Sequence, residues 1–380
     1  MSKRILILGS AHPLRGGGIA TFNERLAKAF MDKEDEVIIV SFSLQYPKIL
    51  FPGKSQLTDE KAPENLKIVS WLNSINPFNW INTARKIKKW SPDIMIVRYW
   101  IPFMGPCLGT VSRLVRKNKK TKVIAIVDNA IPHEKRPGDT LFTKWFTASV
   151  DAFVTMSKQV LKDLDTFNKT KPRVFSLHPL YDNFGEIISK SEACKKLNLS
   201  ENQTYLLFFG FIRDYKGLDW LLKAIADEEI KKRSFKLIVA GEYYSNKEIY
   251  ESLVQELGLS DHLIMNTEFI ANEDVKHYFS VADLIVQPYK SATQSGVTQV
   301  AYHFEKPILT TNVGGLAEIV LDGKTGIIVE PNVESIRAGI LRFLDNPNIE
   351  EYQKEIRKEK QKYSWDVFIE NILNLSNEIK

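Results

Sequence analysis

A chain of 380 residues is longer than one hydrophobic core usually holds, so its length predicts two domains. A hydrophobic content of 44%, a charged content of 26% and a net charge of +6 are typical of a globular protein and exclude a disordered one. Cys107 and Cys194 lack the spacing of a zinc site or a disulfide framework. No apolar run has the length of a secretory signal or a membrane span, so we expect a cytoplasmic protein, free or at the inner face of the plasma membrane.

Apolar runs typical of buried strands alternate with segments of helical spacing, which predicts parallel sheets covered by helices. Strands are predicted at 4–9, 36–42, 94–99, 122–128 and 151–157, and again at 205–211, 235–244, 262–269, 283–289, 307–313 and 325–331. Helices are predicted at 18–30, 140–150 and 363–379. The pattern indicates an α/β protein with two Rossmann-like, doubly wound domains, over 1–183 and 184–362.

The segment from Asn82 to Lys122 contains eleven Lys or Arg residues and one acid, Asp93, with aromatic residues between them. Such a mixture favours an anionic surface, either phospholipid headgroups or a phosphorylated acceptor. A solvated pair of helices around a buried strand is the alternative. No nucleic-acid module accompanies the segment, so binding to nucleic acid is not expected.

Glycine-rich and polar turns follow the predicted strands, at the place where parallel sheets bind ligands. In the first domain Arg15, Gly17 and Gly18 precede a helix whose N-terminus favours anions, although a flexible surface loop is the alternative. The dinucleotide fingerprint GxGxxG and the phosphate loop GxxxxGK are both absent from this turn, which disfavours a nicotinamide dehydrogenase.

The second domain has four such turns in succession. Arg213 and Lys216 lie between a strand and a helix, where two cations can converge on a phosphate group, unless they form a solvated basic turn. Before the helix at 296 the sequence reads Gln294-Ser295-Gly296, and its hydroxyl and backbone amides favour another set of phosphate oxygens. Together with the turns after 240 and 311, these residues predict a cradle for a nucleotide diphosphate.

The stretches FFGFIRDYKGLDWLLKAI, IVAGEYY and VQPYKSATQSGVTQVAYHFEKPILTTNVGGLAEIVLDGKTGIIVEP resemble the family 4 glycosyltransferases. The resemblance implies the GT-B architecture, with two Rossmann-like domains facing a cleft, and retention of the anomeric configuration. It assigns the acceptor to residues 1–183 and the nucleotide sugar to 184–362, with the helix 363–380 packing back on the first domain.

The resemblance also implies roles for single residues. Lys216 matches a lysine that contacts the donor diphosphate, and Glu318 matches the glutamate of a glycine-rich turn. Two glutamates separated by seven residues are usual in this family, but Ala292 and Val300 occupy their places here, with Gln294 and Gln299 as the nearest polar substitutes. We do not interpret this departure as a loss of activity.

On the acceptor side, a family pattern close to HNxxPHE is matched by DNAIPHE, so Asp128 stands where the first histidine is usual. His133 is then the leading contact to the transferred sugar, unless it only caps a turn. The predicted catalytic residues are Arg213, Lys216 and His133. The predicted acceptor-side residues are Asn129 and Arg15. The predicted donor-binding residues are Gly17, Gly18, Gly210, Glu242, Gln294, Ser295, Gly296, Val297, Thr298 and Glu318.

Fixed cations and amides around the departing diphosphate lower the barrier to transfer, and no protein nucleophile is required. We expect no metal and no cofactor, because the one Asp-x-Asp pair, Asp163 and Asp165, falls on a helical segment. The sequence thus predicts a hexosyltransferase that acts on a glycan or lipid-linked acceptor in surface polysaccharide synthesis, with peripheral membrane contact. The alternatives are an epimerase or phosphorylase of the same fold and a non-catalytic protein that binds sugar nucleotides.

Overall fold

A computed structural model describes residues 2–15, 18–47, 55–58, 61–132, 136–292 and 295–379. The chain divides into two compact units, Met1–Pro179 with Ser364–Lys380, and Leu180–Tyr363. The division lies four residues before the boundary expected at 183. The terminal segment belongs to the first unit, the one on which the sequence places it.

The first unit contains a seven-stranded sheet in the order β3-β2-β1-β4-β5-β6-β7, with every pairing parallel. Its strands are β1 Arg4–Leu8, β2 Glu36–Leu44, β3 Ile68–Asn73, β4 Ile94–Tyr99, β5 Lys122–Val127, β6 Ala152–Thr155 and β7 Arg173–Phe175. Its helices are α1 Gly18–Met31, α2 Pro77–Trp90, α3 Gly105–Arg116, α4 Asp139–Ser149, α5 Lys158–Asp163 and the terminal α14 Trp365–Glu378.

The second unit repeats this plan with six parallel strands in the order β10-β9-β8-β11-β12-β13. The strands are β8 Thr204–Phe209, β9 Phe235–Ala240, β10 Leu263–Asn266, β11 Leu284–Gln287, β12 Ile308–Thr311 and β13 Gly326–Val329. The helices are α6 Lys190–Leu197, α7 Leu218–Ile225, α8 Glu228–Lys231, α9 Lys247–Glu256, α10 Val275–Val281, α11 Gly296–His303, α12 Val333–Asp345 and α13 Ile349–Glu359.

The central strands form because their side chains are apolar on both faces, as a sheet covered by helices on both sides requires. Every residue of β4 and of β11 is buried, and helices pack on both faces of each sheet. All eleven predicted strands are present. The sequence prediction missed β3, which is mostly half-buried, and β7, which has only three residues.

Strand order reverses between β1 and β4 in the first sheet, and between β8 and β11 in the second. At such a switch point the loops after two neighbouring strands diverge to opposite faces and leave a crevice at the carboxyl edge. The two-unit α/β fold predicted from the sequence is therefore confirmed. In each unit the switch point fixes the place where a ligand-binding site is expected.

None of the described helices combines the length and the apolar character that crossing a membrane requires. Within the same residues, no cluster of three or more His, Cys, Asp or Glu side chains is arranged to hold a metal ion. Both carboxylates of the Asp-x-Asp pair contact nearby side chains, and the pair lies on short helical segments, as the sequence predicts. Asp163 accepts a hydrogen bond from Gln159, and Asp165 pairs with Arg173 at 2.7 Å.

Candidate functional site

In the second unit, the turns after β8 and β11 interleave at the carboxyl edge of the sheet. The turn after β8 ends in a short 3-10 helix, Asp214–Lys216, and Gly217 then opens α7. Gly217 has φ +70°, and a Cβ there would lie 2.0 Å from the carbonyl oxygen of Pro288. Only glycine permits this approach, so the two turns are held against each other.

Gly210 and Lys216 lie close to each other in the turn after β8. Gly210 adopts φ +94°, and a Cβ at this position would lie 2.8 Å from the Lys216 ammonium nitrogen. A side chain there would displace the ammonium group and strain the backbone. The glycine therefore leaves room for the lysine head and exposes backbone beside it.

Lys216 is a buried cation without a counter-ion among the described residues. It is 8% exposed, and within that part of the chain its ammonium group has no hydrogen bond or ion pair and lies 5.8 Å from the centroid of the Tyr289 ring. Burial, assisted by the nearby charge of Arg213, lowers the pKa of Lys216 to about 7. A buried lysine in this state favours an anion that restores its charge.

Ser295 caps the helix that follows β11. Its hydroxyl oxygen accepts hydrogen bonds from the Val297 backbone N–H at 3.2 Å and from the Gln287 amide at 3.0 Å. The Tyr289 hydroxyl lies 3.3 Å from the same oxygen. Ser295 thus fixes the start of α11, where free backbone amides and the positive end of the helix favour an anion.

Lys216 and the start of α11 lie on the same side of this edge. The ring of Tyr289 contacts the Lys216 ammonium group, and its hydroxyl contacts Ser295. The position of a Cβ on Gly210 lies 3.8 Å from Val297 Cγ2, so the two turns also approach each other directly. The sequence did not identify Tyr289, although its place immediately after β11 was a usable signal. One anion can therefore contact both groups.

The first turn of α11 is packed so that its backbone stays accessible. Gly296 is half-buried, and a Cβ there would lie 2.7 Å from the Tyr181 ring. Val297 is half-buried beside it, whereas Thr298 is buried and its hydroxyl donates to the Gln287 side-chain oxygen at 2.9 Å. The Thr298 side chain is thus engaged inside the unit, which leaves its backbone N–H as the group that can face a ligand.

Gln299 is fully buried on α11, and neither atom of its side-chain amide has a hydrogen-bond partner among the described residues. An unsatisfied buried amide is costly, so such groups are rare outside functional sites. Val300, at the place of one usual family glutamate, is 4% exposed and packs in the interior. Gln299 is therefore the described polar group nearest to that missing glutamate along the helix.

Three other predicted donor-side residues lie at strand ends of the same sheet. The Arg213 guanidinium is exposed and stacks over the Tyr244 ring at 5.1 Å. Glu242 follows β9 and is 8% exposed, with its carbonyl accepting from the Ile212 N–H at 2.9 Å. Glu318 is exposed in the turn between β12 and β13. Arg213 is close enough to Lys216 to affect its pKa.

In the first unit, Asp128 forms a buried bidentate ion pair with Arg98, with both N–H···O distances at 2.6 Å. The Arg98 guanidinium also lies 4.1 Å from the ring centroid of Phe22. Asp128, which replaces the usual family histidine, therefore holds an arginine in place. Arg98 and Tyr99 belong to the cationic and aromatic segment from Asn82 to Lys122, but both are buried, so they do not contribute to an anion-binding surface.

The other predicted residues of the first unit lie after β1 and β5. Gly18 begins α1, and the Arg15 N–H donates to the Gln56 carbonyl at 2.8 Å. Asn129 is half-buried directly after Asp128. Buried His178, which the sequence prediction left without a role, has its pKa lowered to about 3 by burial. Three predicted site residues lie outside the described residues: Gly17, His133 and Gln294.

Residues 189–363 match the family described as Glycosyl transferases group 1. The chain is 27% identical over 240 residues to an uncharacterized glycosyltransferase of Methanocaldococcus jannaschii, covering 63% of this chain and 62% of the relative. It is 29% identical over 183 residues to lipopolysaccharide 1,2-N-acetylglucosaminetransferase of Salmonella typhimurium, covering 45% of this chain and 48% of the relative. These matches span less than two thirds of the relatives' lengths.

Among solved structures, the Anabaena protein HepE in complex with UDP-glucose has a TM-score of 0.72 to this chain at 13% identity, and the match covers 98% of both chains. Identity at this level establishes the fold alone. The matched family segment contains Lys216, Ser295 and the whole edge described above. Residues 189–363 of the second unit thus resemble the glycosyl transferases group 1 family, and the chain as a whole has the GT-B fold.

Proposed function

We propose that this chain is a retaining family 4 glycosyltransferase that transfers a hexose from a nucleotide-diphosphate sugar, without a metal ion or a cofactor. The observation that carries the proposal is the pairing of Lys216 with the start of α11 at one edge of the second sheet. A buried lysine that has no counter-ion in the described part of the chain, next to a capped helix N-terminus, suits a diphosphate better than a neutral ligand.

The leaving group of such a donor gains negative charge as the anomeric bond breaks. Lys216, Arg213 and the backbone amides of Gly296 and Thr298 stabilise that charge, and removal of one such contact costs on the order of 10²-fold in rate. The proton of the acceptor passes to the departing phosphate, so no protein nucleophile takes part. Gln299 or Gln294 takes the place of the missing family glutamates in orienting the donor.

In this proposal the first unit binds the acceptor. Asn129, His133 and Arg15 are the acceptor-side residues of this proposal, and Gly17 and Gly18 are donor-binding residues. The matched Salmonella protein is named for lipopolysaccharide, which supports a glycan or lipid-linked acceptor and a role in surface polysaccharide synthesis. The cations of α2 and α3 favour peripheral contact with the inner face of the plasma membrane.

The test has two stages. A thermal-shift screen against nucleotides and nucleotide sugars first identifies the donor, because a ligand that binds only the folded state raises the melting temperature with concentration. That donor is then incubated with lipid and glycan fractions, and the released nucleoside diphosphate is measured. Transfer requires release that depends on the acceptor, resistance to EDTA and retention of the anomeric configuration by NMR.

Two rivals give different outcomes in the same assay. An epimerase converts the donor into a stereoisomeric nucleotide sugar without an acceptor, and a phosphorylase requires inorganic phosphate. A non-catalytic binding protein raises its melting temperature with donor but never releases the diphosphate. Hydrolysis or transfer that survives Lys216→Met at the wild-type rate would contradict the proposed role of this lysine.

A further inference from the structure

The first unit has a cationic site of its own. It lies at the opposite end of the strands from the carboxyl edge of the sheet. A cavity of about 570 Å³ is lined by six cationic side chains, Arg113, Arg116, Lys117, Lys119, Lys120 and Lys122. We call it the basic cavity. Lys122 is the first residue of β5, and Asp151, which also lines it, immediately precedes β6. The basic cavity is therefore at the amino edge of the sheet, whereas Asn129 follows the carboxyl end of β5.

The carboxylates near the basic cavity do not balance its charge. Asp151 pairs with Arg116 at 2.5 Å and accepts a second hydrogen bond from the Val123 N–H at 2.9 Å. Asp93 lies 3.5 Å from Lys120 at the surface. Among the described residues, two carboxylates thus face six cations, so their summed charge is positive.

Some of the cations around the basic cavity are held by contacts, and others are exposed to solvent. Arg113 lies 4.0 Å from the Trp145 ring centroid, and Lys122 donates to the Ser376 carbonyl at 2.8 Å. The side chains of Lys117 and Lys119 are exposed and, within the described part of the chain, have neither a hydrogen bond nor an ion pair. Guanidinium groups held by contacts, next to exposed ammonium groups, can bind phosphate oxygens.

The half-buried Lys171, close to Arg113 and Arg116, is affected by the same positive charge. Lys171 donates to the Thr147 carbonyl at 2.6 Å. Burial first, and then the charges of Arg116 and Arg113, lower the pKa of Lys171 to about 8. The cations around the basic cavity therefore oppose one another, and a bound anion would relieve that repulsion.

We propose that the basic cavity binds a ligand with two or more phosphate groups. Six cations around one opening exceed what a single phosphate can contact, and the volume accommodates a diphosphate or a phosphorylated headgroup. This site does not depend on the proposed transferase activity. The phosphate groups come either from a free ligand or from lipid headgroups, and the experiment separates these sources.

The competing explanation is that these cations only complement the carboxyl end of α3, where basic residues stabilise the helix dipole. This explanation differs from the proposal in what it predicts. If the cations only stabilise the end of α3, the cavity has no saturable site for a polyphosphate ligand. Substituting two of them then has no larger effect on anion binding than removing two lysines elsewhere.

The test uses the full chain carrying Lys216→Met, so that the candidate donor site does not contribute to phosphate binding. Pyrophosphate is titrated by calorimetry at low salt, and vesicles of phosphatidylcholine with and without phosphatidylglycerol are tested by co-sedimentation. The basic cavity is changed by Lys117→Gln with Lys119→Gln. The matched control is Lys195→Gln with Lys196→Gln, two exposed lysines on α6 that make the same change in net charge.

We expect the cavity pair to weaken binding about 30-fold, from the loss of two cation contacts, and the control pair to change it less than twofold. A selective loss with pyrophosphate identifies a free phosphate ligand, and a selective loss only with anionic vesicles identifies lipid headgroups. The proposal is overturned if neither probe binds the parent protein, or if both pairs of substitutions reduce binding equally. Neither result bears on donor turnover, so this test and that of the transferase fail independently.

Discussion

Replacing Lys216 by methionine should make the free protein more stable while it abolishes the binding of the donor diphosphate. The methionine keeps the apolar stem and removes the ammonium group. In the folded protein that group is buried without a counter-ion among the described residues. A cation buried in this way lowers the stability of the folded protein.

The magnitude follows from the pKa of Lys216, which folding lowers from 10.5 to about 7. Each unit of pKa difference corresponds to about 1.4 kcal/mol, so the lysine costs the folded state roughly 3–5 kcal/mol at pH 7 or below. In a domain of this size one kcal/mol changes the melting temperature by about 2–4 °C. Lys216→Met should therefore raise the melting temperature by about 6 °C or more at pH 6.5.

The pH dependence distinguishes the removal of a charge from a mere change in packing, because a change in packing alters stability equally at every pH. Between pH 7 and 10.5 the unfolded chain binds more protons at Lys216 than the folded chain does, so wild-type stability rises with pH in that window. The advantage of Lys216→Met is therefore largest below pH 7 and shrinks by about 1.4 kcal/mol per pH unit above it. Thermal or denaturant unfolding at pH 6, 7, 8 and 9 measures this slope.

The matched control is Lys223→Met, which removes an exposed lysine from α7 in the same unit. This substitution should change stability by less than about 0.5 kcal/mol at every pH. The reasoning is refuted if Lys216→Met is less stable than the wild type at pH 6.5, or if its advantage does not vary between pH 6 and pH 9. Either result would mean that the ammonium group already has a partner that compensates its charge.

Three further substitutions test the packing of the two switch points. Gly210→Ala should lower the free energy of unfolding more than Gly258→Ala, as measured by denaturant unfolding. Both glycines have positive φ, but a Cβ at Gly258 has open space whereas one at Gly210 would contact Lys216. Gly210→Ala should also weaken donor binding. Ser295→Ala and Ser364→Ala each remove a helix cap worth about 1 kcal/mol, and calorimetry should find loss of donor affinity only for the first. Asp128→Ala should destabilise the first unit by about 3–5 kcal/mol, measured by urea unfolding, because it leaves a buried arginine unpaired; a loss under 1 kcal/mol would contradict this.

The fold was predictable because its information is local. A central strand of a covered parallel sheet has to be apolar on both faces, and runs such as that of β4 show this directly in the sequence. The two missed strands lack that signal, since β3 is mostly half-buried and β7 has three residues at the edge of the sheet. Edge position weakens the apolar pattern that makes a strand visible.

The candidate site was predictable only as a set of turns, because its chemistry depends on distances between residues that are remote in sequence. The sequence places Lys216 after β8 and Ser295 after β11, but it does not show that the Tyr289 ring lies between them. Nor does it separate a buried cation from a solvated one. Arg98 lies within β4 and Lys216 in the turn after β8, and Arg98 has a carboxylate partner whereas Lys216 has none in the described chain. That difference decides which of them can bind an anionic leaving group, since a cation already neutralised by a buried carboxylate has little further attraction to offer.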